Sequence, residues 1–225
     1  MNQKKILSNL SWNILPGKLI NPGIHHELYE KTYKHWRQMW TEILDVKENL
    51  NSDSFLRQDL VCPLTIENSV VGLICCTFFN KNQQAYSSHS YISDFPKDIF
   101  KNNFDGELIM SIEYLTVHPE FRKSFLDVSL GDVLLGLSMK IFENSVAQAV
   151  LGTARSKIHV DQMCYRFGFK PFGEINKFGH PCTLIITDRS TLQTHPELKT
   201  QKLIDQLWDG RNDISIDENK KLKIA

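Results

Sequence analysis

Apolar positions recur along this chain with two different periods, and they mark out its elements in turn. Between His26 and Leu44, Tyr29, Tyr33, Trp36, Trp40 and Ile43 follow at steps of four, three, four and three, which puts them on one face of an amphipathic helix. That aromatic stripe either packs into a core or lines a pocket for an apolar substrate. Residues 60 to 79, LVCPLTIENSVVGLICCTFF, hold two β-rich runs joined by the short polar Glu67-Asn68-Ser69, which reads as a hairpin. Asn80 to Gly106 is polar and aromatic without a clear period, apart from a helical suggestion at Phe95 to Phe100. Glu107 to Val117 is strand-like again. Val128 to Phe142 then carries Leu130, Val133, Leu134, Leu137 and Ile141 on one helical stripe.

Ala149 to Ala154 makes another short strand, Val160 to Phe167 a helix stopped by Gly168, and Pro181 to Thr187 a late strand. After the early helix the order is β-β-β-α-β-α-β, which predicts an α+β fold with a mixed sheet flanked by helices. Beyond Asp188, Leu203, Ile204, Leu207 and Trp208 suggest one more helix, ended by Gly210. Residues 1–225 are read as a single domain, with 189–225 its C-terminal helix and the charged tail ENKKLKIA.

Composition narrows the partners. The chain has 225 residues, 41% hydrophobic and 23% charged, enough for one sizeable core. Its 26 basic and 26 acidic residues cancel, so no global field draws it to nucleic acid or to an anionic membrane, and an anionic ligand must be held locally. The five cysteines are odd in number and lie mostly in apolar strand-like runs rather than at metal-ligand or disulfide spacings. Neither a metal nor a disulfide framework is expected, and a reducing cytoplasmic location fits. Ser8, Asn9, Ser11 and Asn13 interrupt any apolar signal core. No run approaches the ~18 apolar residues needed to cross a bilayer.

Two residue types stand out chemically. Glu113 is a carboxylate inside an apolar strand; alternation puts it on the side of Leu115 and Val117, with Ile112, Tyr114 and Thr116 opposite. Burial raises a carboxylate's pKa toward that of a useful base, although an ion pair with Arg155 or Arg166 accounts for it equally well. Tyr165 closes a predicted helix in Cys164-Tyr165-Arg166-Phe167-Gly168-Phe169. A phenol stays protonated near neutral pH and can give its proton to a developing anion. His118 and His159 could be bases by pKa, yet a histidine so placed is more often a surface or satisfied one.

Taken in order, ELIMSIEYLTV running into His118-Pro119-Glu120-Phe121-Arg122, then SLGDVLLGLSMKIF, AVLGTAR and MCYRFGFKPFGE, resembles the core of the Gcn5-related N-acyltransferase (GNAT) superfamily. In that family a strand ends at V-x-P-x-x-R and a later helix ends at Y-x-x-G-F. The resemblance implies an α/β/α sandwich with a mixed, mostly antiparallel central sheet, splayed between two strands near Val117 and Ala154. It implies acyl transfer from a phosphopantetheine thioester, acyl-CoA or acyl carrier protein, to a small-molecule primary amine, with no metal. By the same resemblance Tyr165 assists the departing thiolate, and Glu113, directly or through water, takes the amine's proton. Leu115, Thr116 and Val117 offer a backbone edge to the donor arm, and Arg155 lies near that arm. Arg122, Lys123, Ser129, Leu130, Gly131 and Asp132 surround the helix start expected to hold the donor phosphate.

Two departures accompany the match. The family's R-x-x-G-x-G or R-x-x-G-x-A loop is longer here and lacks its first glycine, and the family's asparagine seven residues before the tyrosine is Ile158. An acyl carrier protein presents a single phosphate, so either donor suits the altered loop. Within the superfamily the chain is similar to the branch of long-chain N-acyl amino acid synthases and acyl-homoserine-lactone synthases. Its Trp- and Tyr-rich first helix, its long excursion before Glu107 and its nonstandard loop carry that likeness. The competing expectation is a catalytically silent domain of the same fold that binds an acyl thioester or a protein partner.

Overall fold

The computed structural model describes residues 3–18, 25–44, 50–96, 107–122 and 127–215. Its strands are β1 (Leu10–Pro16), β2 (Leu60–Ile66), β3 (Ser69–Asn80), β4 (Leu108–Val117), β5 (Ala149–Arg155), β6 (Lys170–Lys177), β7 (His180–Asp188) and β8 (Asn212–Asp213). The helices are α1 (Gln3–Ser8), α2 (His26–Leu44), α3 (Asp53–Leu56), α4 (Gln84–Ser87), α5 (Leu130–Glu143), α6 (Val160–Tyr165) and α7 (Leu198–Asp209). Short 3-10 turns lie at Ile92–Asp94, Pro119–Phe121 and Ser156–Ile158.

Hydrogen bonding orders the strands β6-β7-β5-β4-β3-β2-β1-β8. β1 with β2, β2 with β3, β5 with β7 and β6 with β7 are antiparallel, whereas β4 with β5 and β1 with β8 are parallel. β3 and β4 are antiparallel too, because Lys81 N–H bonds Glu107 O and His118 N–H bonds Val71 O, each at 2.8 Å. The mixed, mostly antiparallel sheet flanked by helices is therefore as expected. The parallel register joins Ile109–Ile112 to Ala149–Gly152. β4 runs on to Val117 and β5 to Arg155 beyond the last of these pairs.

The chain forms two compact units, Met1–Cys76 with Tyr114–Leu137 and Glu197–Ala225, and Thr77–Glu113 with Ser138–Pro196. In the first unit α2 buries Tyr29 and Trp36 against Leu15, Val61, Leu73 and Cys75, with Phe55 of α3 filling the same cluster. The aromatic stripe is thus core packing. Its buried face is Tyr29, Thr32, His35, Trp36 and Met39, turned from the expected stripe so that Tyr33 and Trp40 lie at the cluster's edge. Gly72 of β3 permits close packing: a Cβ there would meet Leu134 Cδ1 at 2.8 Å and Thr116 O at 3.2 Å. The second unit centres on Phe79, Tyr91, Ile92, Phe95, Ile109, Leu151 and Leu184. Part of the aperiodic excursion is therefore core; 97–106 lie outside the described residues, as does the tail ENKKLKIA.

Three strands were not expected. β1 holds the polar Ser11 and Asn13, and the Asn13 amide donates to Thr65 Oγ1 at 3.3 Å while Thr65 Oγ1 donates to Ser11 O at 3.3 Å. Buried polar groups that find partners are compatible with a strand. β6 has no fully buried position, so no apolar alternation announces it. β8 spans only two residues.

Candidate active site

Glu113 is 6% exposed, and its Oε1 accepts a hydrogen bond from the Ser111 hydroxyl at 3.1 Å. Ser111 Oγ also lies 3.4 Å from Thr77 O. The i, i+2 pairing of Ser111 with Glu113 follows the strand pleat. The next residue breaks that pleat: Tyr114 has φ 56°, the left-handed region that a bulky residue seldom adopts. The expected alternation from Ile112 to Val117 therefore does not pass through Tyr114, a correction of the kind a β-bulge imposes. Tyr114 is held edge-on between Trp36 and Trp40, at ring distances of 5.6 and 5.1 Å. Close by, Tyr91 donates its phenol proton to Ile112 O at 3.2 Å, and burial, then the Glu113 charge, pushes its pKa well up.

In the first unit the end of β4 leads into a small polar cluster. Leu115 is half-buried, and Thr116 and Val117 are buried. Thr116 Oγ1 is hydrogen-bonded to His35 Nε2 at 3.4 Å. His35 is 7% exposed; burial first, then the charges of His118 and Arg122, lower its pKa to about 4. Arg122 is exposed and folds back, its Nε donating to Val117 O at 2.7 Å. The His118 ring lies 6.3 Å from that of His35, and its Nδ1 is shut from solvent with no hydrogen-bond partner among the described residues. Lys123 lies outside the described residues.

Ser129 precedes α5 as its N-cap, its hydroxyl oxygen accepting the Asp132 N–H at 3.3 Å. One of the helix-start donors expected to meet a phosphate is thus satisfied within the chain. Leu130 is buried, Gly131 half-buried, and the Asp132 side chain is 4% exposed in the first turn. A carboxylate at a helix N-terminus occupies the place that the helix dipole offers to an anion.

In the second unit α6 carries Tyr165 at its last position, half-buried. Gly168 ends the segment with φ 87°, and a Cβ on it would lie 1.9 Å from Thr191 O. Only glycine fits both the left-handed backbone and that approach. Burial, then the Asp161 carboxylate one turn earlier, raises the Tyr165 pKa above its ordinary 10. Asp161 is 9% exposed, and its Oδ1 is shut from solvent without a hydrogen-bond partner among the described residues. Arg155 ends β5, with Nη2 hydrogen-bonded to His180 Nδ1 at 3.2 Å. Ile158, in the place of the family's asparagine, is 57% exposed, and His159 is exposed with φ 59°. Among the described residues no group of three or more His, Cys, Asp or Glu could hold a metal ion.

His35 and Asp161 escaped sequence reasoning. His35 carried a faint signal, since it adjoins Trp36 on the buried side of α2; Asp161 carried one in being four residues, one turn, before Tyr165.

No family model and no curated protein matches the sequence. Solved structures do. The CoA-dependent acyl-homoserine lactone synthase BjaI superposes with a TM-score of 0.58 at 10% identity, over 94% of this chain and 99% of its own. An acyl-CoA N-acyltransferase from Pseudomonas aeruginosa gives 0.54 at 10% identity, over 79% and 98%. FeeM, an N-acyl amino acid synthase from uncultured soil microbes, gives 0.52 at 10% identity, over 73% and 95%. The chain has the GNAT fold. At such identities the likeness is one of backbone, and it bears out the resemblance drawn from residues 107 to 173 at the level of the fold. Among the described residues of this GNAT-fold chain, no helix is long and apolar enough to cross a membrane.

Proposed function

We propose that the chain is an N-acyltransferase that moves an acyl group from a phosphopantetheine thioester to a primary amine. Tyr165 carries this reading: a phenol at the end of α6, held by the Gly168 turn and kept protonated by its surroundings, on a fold shared with acyltransferases. The amine nitrogen attacks the thioester carbonyl, the N–C bond forms and the C–S bond breaks. Glu113, through its own oxygen or a water, takes the ammonium proton, and Tyr165 gives its proton to the thiolate, so amide and free thiol leave with charges balanced. Direct transfer gains chiefly from holding two reactants together. The edge of β4 at Leu115 to Val117 is offered to the donor's amides, and Arg122 with the start of α5 to its phosphate. Acyl-CoA is the donor we favour, since BjaI and the Pseudomonas protein are described as CoA enzymes. An acyl carrier protein is the alternative, and an amino acid the acceptor we would try first.

The test is thiol release from acyl-CoA in the presence of a panel of amines, with Tyr165→Phe alongside. That variant removes a proton donor and almost no volume, so turnover should fall ~10²-fold while donor binding stays nearly unchanged. Unchanged turnover in the folded variant would leave Tyr165 a packing residue. The Ser129 cap and the buried Asp132 at the start of α5 favour a second reading, a silent domain that binds an acyl thioester. Donor binding without thiol release for any amine would select it.

A further inference from the structure

We infer that Asp161 is the positioning residue for Tyr165, its carboxylate receiving the phenol's hydrogen from one helical turn away. This rests on the reading of Tyr165 as proton donor. Residues four apart lie on one face of a helix, and α6 holds both, with Asp161 buried at 9% exposure. Among the described residues its Oδ1 has neither solvent nor a hydrogen-bond partner, and Oδ2 is met by the Gln162 amide at a long 3.4 Å. A buried acceptor without a donor is costly, so the oxygen calls for a donor from its own face. The N-terminal dipole of α6 favours an acid in its first turn, but it does not account for an oxygen turned away from water. The carboxylate's charge also acts on the phenol, which is shifted upward first by burial, then by Asp161, with Cys164 and Glu174 of β6 adding in the same direction. The phenol thus keeps its proton on Asp161 until a thiolate forms, when the O–H leaves the carboxylate and turns to the sulfur; the phenolate left behind is reprotonated from solvent.

The experiment is ultraviolet titration of tyrosinate, with Tyr165 isolated as the difference between each protein and its Tyr165→Phe counterpart. No substrate is needed. In the unaltered chain Tyr165 should titrate above 10, and in Asp161→Asn about one unit lower. Asp161→Glu, which keeps the charge, should restore most of the shift. If Asp161→Asn fails to fold, Asp161→Ser drops the charge while keeping a helix-start oxygen and serves the same purpose. In turnover, Asp161→Asn should lower kcat several-fold with KM within about twofold, and move the basic limb of the pH profile down by the titrated amount. An unmoved Tyr165 titration in a folded neutral variant overturns the inference, even where that variant melts earlier. Absence of acyl transfer by the unaltered chain overturns the proposed function instead, and leaves the titration to decide the pair.

Discussion

His35 offers a quantitative test of the polar cluster at the end of β4. The ring is 7% exposed, bonded to the Thr116 hydroxyl, and its pKa falls from 6.5 to about 4. The unfolded chain binds this proton near pH 6.5 and the folded chain only near 4, so stability is full above 6.5 and is lost as pH falls through that window. At about 1.4 kcal/mol per unit the whole window is worth at most about 3 kcal/mol, and the part between pH 6.5 and 5 about 2 kcal/mol. Against a typical total of ~5–15 kcal/mol this is large.

Carboxylates also titrate on the acid side, so the informative quantity is a double difference. His35→Gln keeps a nitrogen and an oxygen for the Thr116 hydroxyl and abolishes the titration. All four tryptophans, Trp12, Trp36, Trp40 and Trp208, lie in the unit that contains His35, so urea unfolding followed by tryptophan fluorescence reads the right part of the molecule. Between pH 7.5 and 5 the unaltered chain should lose about 2 kcal/mol more than His35→Gln, whatever the offset between them at pH 7.5. Parallel losses, within about 0.5 kcal/mol, would mean that His35 accepts its proton when folded, and the described packing around it would be wrong.

Other consequences are open to direct measurement. Gly168→Ala places a side chain at φ 87° and a Cβ 1.9 Å from Thr191 O, so urea unfolding followed by far-ultraviolet dichroism should show a loss of about 3 kcal/mol or more. A loss below 1 kcal/mol would refute that turn. Arg189 donates to Phe142 O in the last turn of α5 and to Ser145 O and Ala147 O beyond it, at 3.2, 2.6 and 2.9 Å; Arg189 being exposed, its replacement by alanine should cost about 1–2 kcal/mol in the same assay. Each methylene entering an apolar pocket contributes up to ~0.8 kcal/mol, so if the half-buried Tyr33, Trp40 and Tyr114 receive an acyl chain, specificity constants for donors of about eight carbons should exceed that for acetyl-CoA by at least tenfold. A clear acetyl preference would remove the long-chain reading and leave acyl transfer standing.

What could be read from sequence depended on whether a segment's environment is uniform along its length. α2, α5 and α7 each keep a buried face over several turns; the limits of α2 and α5 were legible within a few residues, and of α7 the end at Gly210. The β2–β3 hairpin was legible because Glu67 and Asn68 are polar between two buried runs, and Glu67 takes the left-handed φ of 55° that the turn needs. β1 and β6 were not. In β1 the buried Asn13 is satisfied by Thr65 and by Asn212, whose amide donates to Asn13 Oδ1 at 3.1 Å, and no local pattern foretells a partner 199 residues away. In β6 both neighbouring surfaces are partly open, which leaves a strand defined only by its ladder with β7.

The candidate site divides along the same line. Tyr165 and its Gly168 turn were legible because a helix stop imposes residue type: φ 87° beside the Thr191 carbonyl admits only glycine. Tyr114 shows the opposite case. Nothing in Ile112-Glu113-Tyr114-Leu115 distinguishes a bulge from a regular strand, since tyrosine is an ordinary strand residue and its φ of 56° is enforced from outside. Strain of this kind costs roughly 1–3 kcal/mol and persists only where packing over-determines it. The two tryptophan rings of α2 against Tyr114 supply that packing. Glu113 is thereby the last residue of β4 to obey the pleat, bonded to Ser111 behind it, while Thr116 ahead turns its hydroxyl to His35. A carboxylate proposed as base and a backbone edge proposed to bind the donor arm are thus separated by one strained residue, and the aromatic stripe, which the sequence left open between core packing and a pocket, holds that residue in place through Trp36 and Trp40.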